Sequence, residues 1–311
     1  MDELAEAFSG ARLELVELPA GRSVVLKHLP REGDWLTRAT DGAGRVRRLW
    51  ESGMLARIRP LVDHTIIDVR VVDGHDVVVM RDARGDLLPP RVPVSRATSR
   101  ALLSGLVGLH DAWEGQAGDG LCGIGARYAM FAPAFHAEPL PGAHPLADRI
   151  TQGWDLFARH VDHDTATAVF AVHKDPAPLG RRLAAFSPTL LHGDAKLENL
   201  GLSREGLVAI DWGDLTGFGP REVDVAWFAL KGAARIGRNP DEIFADYEAA
   251  SGRRMEPQAL DLACVGSLAQ MGFRFAVGAF ASGPEPREVA ATQLKWWTAR
   301  VGVALDRLGS L

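Results

Sequence analysis

Four polar residues between Leu190 and Asp214 have the types and the spacing that phosphoryl transfer needs. The stretch reads Leu-Leu-His-Gly-Asp-Ala-Lys-Leu-Glu-Asn-Leu-Gly-Leu and, after a short connection, Val-Ala-Ile-Asp-Trp-Gly-Asp. Asp194, Lys196 and Asn199 stand at positions 0, +2 and +5, and Asp211 follows twelve residues after the asparagine. An Asp leaving a strand can accept the proton of an incoming hydroxyl, and a Lys two residues on can hold the phosphate being moved. Asn199 and Asp211 offer hard oxygen ligands to Mg²⁺, which would spread the charge of the phosphates.

The elements around these residues must bring them to one place. Thr189 to Leu191 reads as a short apolar strand, and 200–202 with 207–210 as a hairpin around Ser203-Arg-Glu-Gly206, which returns Asn199 and Asp211 to the same end. Upstream, 11–18 and 22–29 alternate as strands about Pro19-Ala20-Gly21, with Val25, Lys27 and Leu29 on one face. A helix is expected over 44–55, with Val46, Leu49, Trp50 and Met54 toward a core and Glu51 as its acid. Residues 65–72 and 75–80 alternate around Asp73-Gly74, a hairpin signal. The polar run 81–86, ending in Leu-Leu-Pro-Pro, reads as a hinge and divides the chain into 1–82 and 83–311.

Beyond the hinge the periodicity turns helical: 95–113 capped by Ser95, then 148–160, a helix from about Glu222 with Asp224 in its first turn, 241–250, 257–280 and 287–308. The five glycines of 115–125 have no leading strand and no Gly-Lys-Ser/Thr, so they read as a loop. Tyr128, Phe131, Phe135 and His136 lie in a proline-containing segment that could wall an acceptor site. His160, His163, Asp164 and His173 raise a transition-metal site as a lesser alternative.

Composition narrows the classes. The net charge is -5, without a basic stripe for nucleic acid. The start Met-Asp-Glu-Leu-Ala-Glu is unlike a signal peptide, the two cysteines form no motif, and the apolar segment 262–282 carries Gln270 and Arg274, so it reads as a core helix and not a membrane span. A cytoplasmic protein is expected. Thirty arginines accompany only five lysines, at 27, 174, 196, 231 and 295, so each lysine is a minority choice.

His-Gly-Asp-x-Lys-x-x-Asn followed by Ile-Asp-Trp-Gly resembles the catalytic and metal loops of the aminoglycoside phosphotransferase and choline-kinase group of small-molecule kinases. The resemblance implies a two-lobed, protein-kinase-like α+β fold: a small N-terminal antiparallel sheet with a helix, and a larger helical lobe, with nucleotide between them. It implies ATP, with GTP as second candidate, Mg²⁺ on Asn199 and Asp211, and a small-molecule hydroxyl acceptor that is aminoglycoside-, amino sugar- or choline-like. Asp194 would be the base and Lys196 would steady the transferring group. Lys27 would brace the phosphates, Glu51 would hold Lys27, Val25 would cover the base, and the backbone of Asp82 and Ala83 would meet the adenine edge. His192 and Asp224 would support the loop from behind. The turn 18–23 has one glycine where protein kinases have Gly-x-Gly-x-x-Gly, which argues against a protein kinase. Two rival readings stand beside this one: a catalytically silent nucleotide-binding protein, and a metal-dependent hydrolase built on His192, Asp194 and the histidines at 160–173.

Overall fold

A computed structural model of the chain describes residues 11–29, 35–40, 42–133, 147–281 and 287–309. Phe135 and His136, expected in the acceptor wall, lie outside the described residues.

Period-two apolar residues draw the N-terminal part into four antiparallel strands, β1 (Arg12–Leu18), β2 (Arg22–His28), β3 (Ile66–Val72) and β4 (His75–Arg81), in the order β1-β2-β4-β3. The β3–β4 turn is Asp73 and Gly74, with φ of 49° and 79°, the left-handed pair that Asp-Gly supplies. Register sets Lys27 between Leu13 and Val78, and Val25 between Leu15 and Met80. Lys27 therefore stands on an interior strand, on the face it shares with these apolar side chains. Between β2 and β3 the one helix expected over 44–55 is divided. α1 (Trp35–Thr40) is followed by α2 (Arg45–Glu51) and α3 (Met54–Ile58), and Gly53, at φ 73°, breaks the run between the last two.

The larger part is helical: α4 (Arg96–Ala112), α5 (Ile124–Ala129), α6 (Ala147–His160), α7 (His163–Lys174), α8 (Ala177–Leu183), α9 (Glu222–Ile236), α10 (Pro240–Ser251), α11 (Pro257–Phe280) and α12 (Arg287–Leu308). The caps are those that the sequence signals. Ser95 Oγ accepts from the N–H of Thr98, and Asn239 and Glu242 form a reciprocal capping box. α11 is the axle, packed by α5, α6, α9 and α12. It is the one described helix long and apolar enough to cross a membrane, and 89% of its apolar window is buried inside the protein. Small residues let its neighbours approach. A Cβ on Gly153 of α6 would lie 2.5 Å from the carbonyl oxygen of Phe273.

Two small antiparallel pairs complete the fold, β5 (Thr189–Leu191) with β8 (Gly217–Gly219), and β6 (Leu200–Ser203) with β7 (Gly206–Ala209). The β6–β7 hairpin is clasped on both sides. Asp63, just before β3, donates its N–H to Leu207 and accepts from Ala209 through its carbonyl. The connector beyond β4 does the same along β6, with Leu88 N–H donating to Leu200 and Leu202 N–H to Asp86. Gly201 permits this close approach, since a Cβ there would fall 2.2 Å from the Asp86 carbonyl.

The α6–α11 contact yields a stability test. Gly153→Ala is expected to cost about 1–3 kcal/mol, as overpacking of a rigid backbone contact does. Gly108→Ala in α4, where a Cβ meets nothing within 4 Å, should be neutral or stabilising by up to about 1 kcal/mol. Urea unfolding of the two variants beside the parent chain measures the contrast.

Candidate active site

The loop leaving β5 is possible only with glycine in its second position. Gly193 has φ 84°, and a Cβ there would lie 1.8 Å from the Leu215 carbonyl oxygen. The loop hangs from one carboxylate. Asp224, in the first turn of α9, accepts the backbone N–H of His192 at 2.7 Å and of Gly193 at 2.9 Å. Behind it His110 Nε2 lies 3.4 Å away, and His110 Nδ1 meets the Tyr247 hydroxyl at 2.7 Å. His110, Asp224 and Tyr247 are wholly buried. Burial pushes the Asp224 carboxyl upward, but the hydrogen bond and charge of His110, with Arg127 and His192, outweigh it and hold the group below its ordinary range.

His192 is a strut in this arrangement. Burial lowers its pKa against the raising effect of Asp224, which keeps the ring neutral near pH 7. Its Nδ1 accepts the Asp194 N–H at 3.2 Å, which leaves Nε2 to carry the proton and donate to the Ile210 carbonyl at 3.0 Å. The ring also stands edge-on to Trp212. The catalytic-loop backbone is thereby tied to the segment that carries Asp211.

Asp194 is enclosed by three donors. Lys196 Nζ lies 2.5 Å from Oδ2, Asn199 Nδ2 donates to Oδ2 at 2.9 Å and to the Asp194 carbonyl at 3.0 Å, and Trp227 Nε1 donates to Oδ1 at 2.9 Å. Burial would lower the Lys196 pKa, but the charges of Asp194 and Asp211 raise it overall. The hairpin does what its sequence suggests: Ile210 N–H donates to the Asn199 carbonyl at 2.9 Å, so Asn199 and Asp211 emerge at one end. Asp211 is a non-glycine residue at φ 69°, a backbone strain of the kind found at functional sites. Its Oδ1 lies 2.5 Å from Lys27 Nζ, and the Lys27 charge, opposed by burial, holds its carboxyl far below the usual range.

Of the residues that sequence reasoning singled out, Lys27, His192, Asp194, Lys196, Asn199, Asp211 and Asp224 converge, whereas Glu51 does not. Glu51 is exposed at the end of α2, and Lys27 pairs with Asp211 instead. The break at Gly53 and the rotation of α2 turn Val46 inward, where it lines the cleft with Lys27, Val78, Met80, Asp211 and Asp214 and covers Gly213. Arg47, four residues before Glu51, meets Asp76 at 3.5 Å. At the hinge, the Asp82 N–H donates to Ser23 at 3.4 Å, and its carboxylate holds Ser23 Oγ and Arg84. The Ala83 carbonyl takes the N–H groups of Asp86 and Leu87. Val25 lies half-buried on the Lys27 face of β2. His160 stacks on Phe280, and His173 bonds the Ala269 carbonyl and stands edge-on to Trp154. Among the described residues no three metal-ligating side chains gather.

Two contributors escaped the sequence reading. Trp227 follows Asp224 at i+3 on one face of α9, a spacing that could have flagged it. Buried Arg45 reaches from the start of α2 to the Asp214 carbonyl, a link that only the tertiary fold reveals.

Residues 9–260 match the sequence pattern of the phosphotransferase enzyme family. In three dimensions the chain is similar to choline kinase LicA from Streptococcus pneumoniae, with TM-score 0.52 and 12% identity over 94% of this chain and 89% of that one. It is also similar to LicA in complex with AMP, with TM-score 0.50 and 12% identity over 94% and 93% of the two chains. An aminoglycoside phosphotransferase from Alicyclobacillus acidocaldarius subsp. acidocaldarius DSM 446 aligns with TM-score 0.50 and 15% identity over 99% and 92%. At these identities the likeness establishes the fold, a two-lobed protein-kinase-like α+β architecture. No curated protein matches the chain in sequence.

Removing the carboxylate from which the loop hangs should be costly. Asp224→Ala leaves two buried N–H groups and His110 without their acceptor and is expected to lower stability by about 2–5 kcal/mol. The measurement is the urea midpoint, which should fall with the slope unchanged. An unmoved midpoint would mean that the loop is held by something else.

Proposed function

The chain belongs to the phosphotransferase enzyme family and acts on a hydroxyl group of a small molecule, and we propose that it does so with Mg-ATP held between a lobe of residues 1–82 and one of 83–311. The single observation that carries this reading is the convergence, within linked contacts, of Asp194, Lys196 and Asn199 from one loop with Asp211 from the returning hairpin and Lys27 from β2.

The donor set suits Mg²⁺. Asp211 is a carboxylate open to the cleft, and Asn199 on the same hairpin end adds an amide oxygen; both are hard ligands, and the nearby His192 imidazole is committed through both nitrogens to the Asp194 N–H and the Ile210 carbonyl. When bound, the metal would neutralise charge on the phosphates. Asp194 would take the proton of the acceptor hydroxyl, its carboxylate aimed by Trp227 and Asn199. Lys196, now paired with that carboxylate, would turn to the transferring group and free an oxygen for the hydroxyl. Lys27 would brace the phosphates, and the Ala83 N–H would meet the adenine edge. Positioning and charge stabilisation supply most of the rate in such chemistry. With Glu51 turned outward and Val46 inward, Asp211 and the nucleotide would orient Lys27.

The nucleotide site is tested by melting temperature with Mg-ATP or Mg-GTP. A ligand at about 100 times its dissociation constant adds roughly 2.7 kcal/mol. A magnesium-dependent rise, lost in Asp211→Ala, is expected, and no rise with either nucleotide would sink the reading.

Turnover is read as ADP release against a panel of hydroxylated acceptors. Asp194→Asn should keep nucleotide binding and lose about 10² to 10⁴ in kcat. Trp227→Phe keeps the ring and removes the donor, for an expected loss of about tenfold to a hundredfold in kcat. An undiminished rate in Asp194→Asn would remove the base assignment, and ADP release from no acceptor would favour a silent nucleotide binder.

A further inference from the structure

Three cations that form no salt bridge with a described residue gather about Trp227, the indole that meets Asp194. Trp227, whose indole N–H donates to Asp194, carries the Arg127 guanidinium 5.2 Å from its ring centroid and Lys231 Nζ 5.6 Å from it. Arg127 is 2% exposed, and none of its three guanidinium nitrogens makes a hydrogen bond. Asp224 is an anion near enough to influence it, but that carboxylate is already committed to the N–H groups of His192 and Gly193 and to His110. Lys231 is half-buried and makes no ion pair. Arg274 of α11 and Lys196 add positive charge to its surroundings, with Asp194 and Glu198 as the opposing carboxylates. Of these two, Asp194 is bonded to Lys196, and Glu198 is paired with Arg235.

Each cation comes from a different element, and the elements pack together. Asp224, Trp227 and Lys231 share one face of α9 at i, i+3 and i+7, while Gly266, Gln270 and Arg274 follow at i, i+4 and i+8 on α11. Arg127 reaches in from α5, whose Tyr128 lies against Gly266. Burying an uncompensated cation is costly. Burial together with Arg274 and Lys196 pushes the Lys231 ammonium down to about 8, as expected of a cation that lacks its counter-charge. Lysine is rare in this chain, and two of the five, Lys196 and Lys231, stand about Asp194.

We propose that Lys231 and Arg274, over the field of buried Arg127, bind an oxyanion group of the acceptor, a carboxylate or a phosphate ester, whose hydroxyl faces Asp194. The inference rests on the reading of Asp194 as the residue that meets the acceptor hydroxyl. The site lies across one indole from that carboxylate, so both groups belong to one small molecule. Cationic acceptors, such as amino sugars and quaternary ammonium alcohols, would meet like charge here, which disfavours them. The three cations instead match a planar or tetrahedral oxyanion.

The test uses the full chain saturated with Mg-AMP-PNP, at constant ionic strength, with melting temperature followed as sodium phosphate, sodium malonate or choline chloride is titrated in. Phosphate or malonate should raise the melting temperature beyond equal sodium chloride, and choline should not. The larger response assigns a phosphate ester or a carboxylate. In Lys231→Met the apparent dissociation constant for the anion should rise at least about tenfold. Exposed Arg274→Met, which does not threaten folding, should weaken it in the same direction. The proposal is overturned if neither anion acts beyond salt, if choline acts as strongly, or if both variants respond like the parent chain. The rise caused by Mg-AMP-PNP itself is read separately, so its absence would sink the ATP reading while a Lys231-dependent anion response would still establish the oxyanion site.

Discussion

The structure depends on one buried carboxylate. Asp224 takes two consecutive backbone N–H groups of a loop that turns through a left-handed glycine, and no other geometry would let both reach it. Asp194 is the next residue, so its direction is inherited from α9 rather than from its own rotamer. The same helix returns one turn later with the indole of Trp227 on the Asp194 carboxylate. Backbone and side chain of the acidic residue are thus aligned by a single rigid element. Behind Asp224, His110 and Tyr247 extend the network to α4 and α10, so the loop is anchored to the core of the helical lobe.

Charge in the cleft is stored as crossed pairs. Lys27 lies on Asp211, and Lys196 lies on Asp194, each 2.5 Å apart. This pairing lets four ionised groups share a largely buried space. In the proposed reaction an anionic nucleotide with its cation would let both pairs exchange partners without leaving a charge uncompensated, each lysine turning to phosphate, Asp211 to the metal and Asp194 to the hydroxyl. Arg127, Lys231 and Arg274 break the pattern, since none of them forms a salt bridge with a described residue.

Much of this was legible before folding because the key chemistry is local. Asp194, Lys196 and Asn199 are spaced by one loop, and a hairpin with a readable turn returns Asp211 to them. Lys27 follows from strand alternation, Ser95 from capping, and the β3–β4 turn from Asp-Gly. Glu51 was misread because acid content says nothing of which helical face turns inward. The left-handed Gly53 cuts the helix there, and Val46 packing over Gly213 decides the rotation. Trp227 and Arg127 meet across a hundred residues of chain because α5 and α9 both pack on α11, and Arg45 reaches Asp214 from α2 across the cleft; such pairings leave no local pattern.

The clasped β6–β7 hairpin has a mechanical consequence. Asp63, leading into the sheet, and Asp86 to Leu88, leaving it, both bind the hairpin that ends in Asn199 and Asp211. The segment that enters β3 and the connector that leaves β4 therefore share one short ladder with the hairpin end that carries Asn199 and Asp211. A swing of the sheet must either rupture that ladder or carry the hairpin along. Any breathing of the cleft is consequently smallest at the edge beside the hinge, and wherever α2 parts from the hairpin end it must stretch the contacts of Arg45 with Asp214 and of Val46 with Gly213.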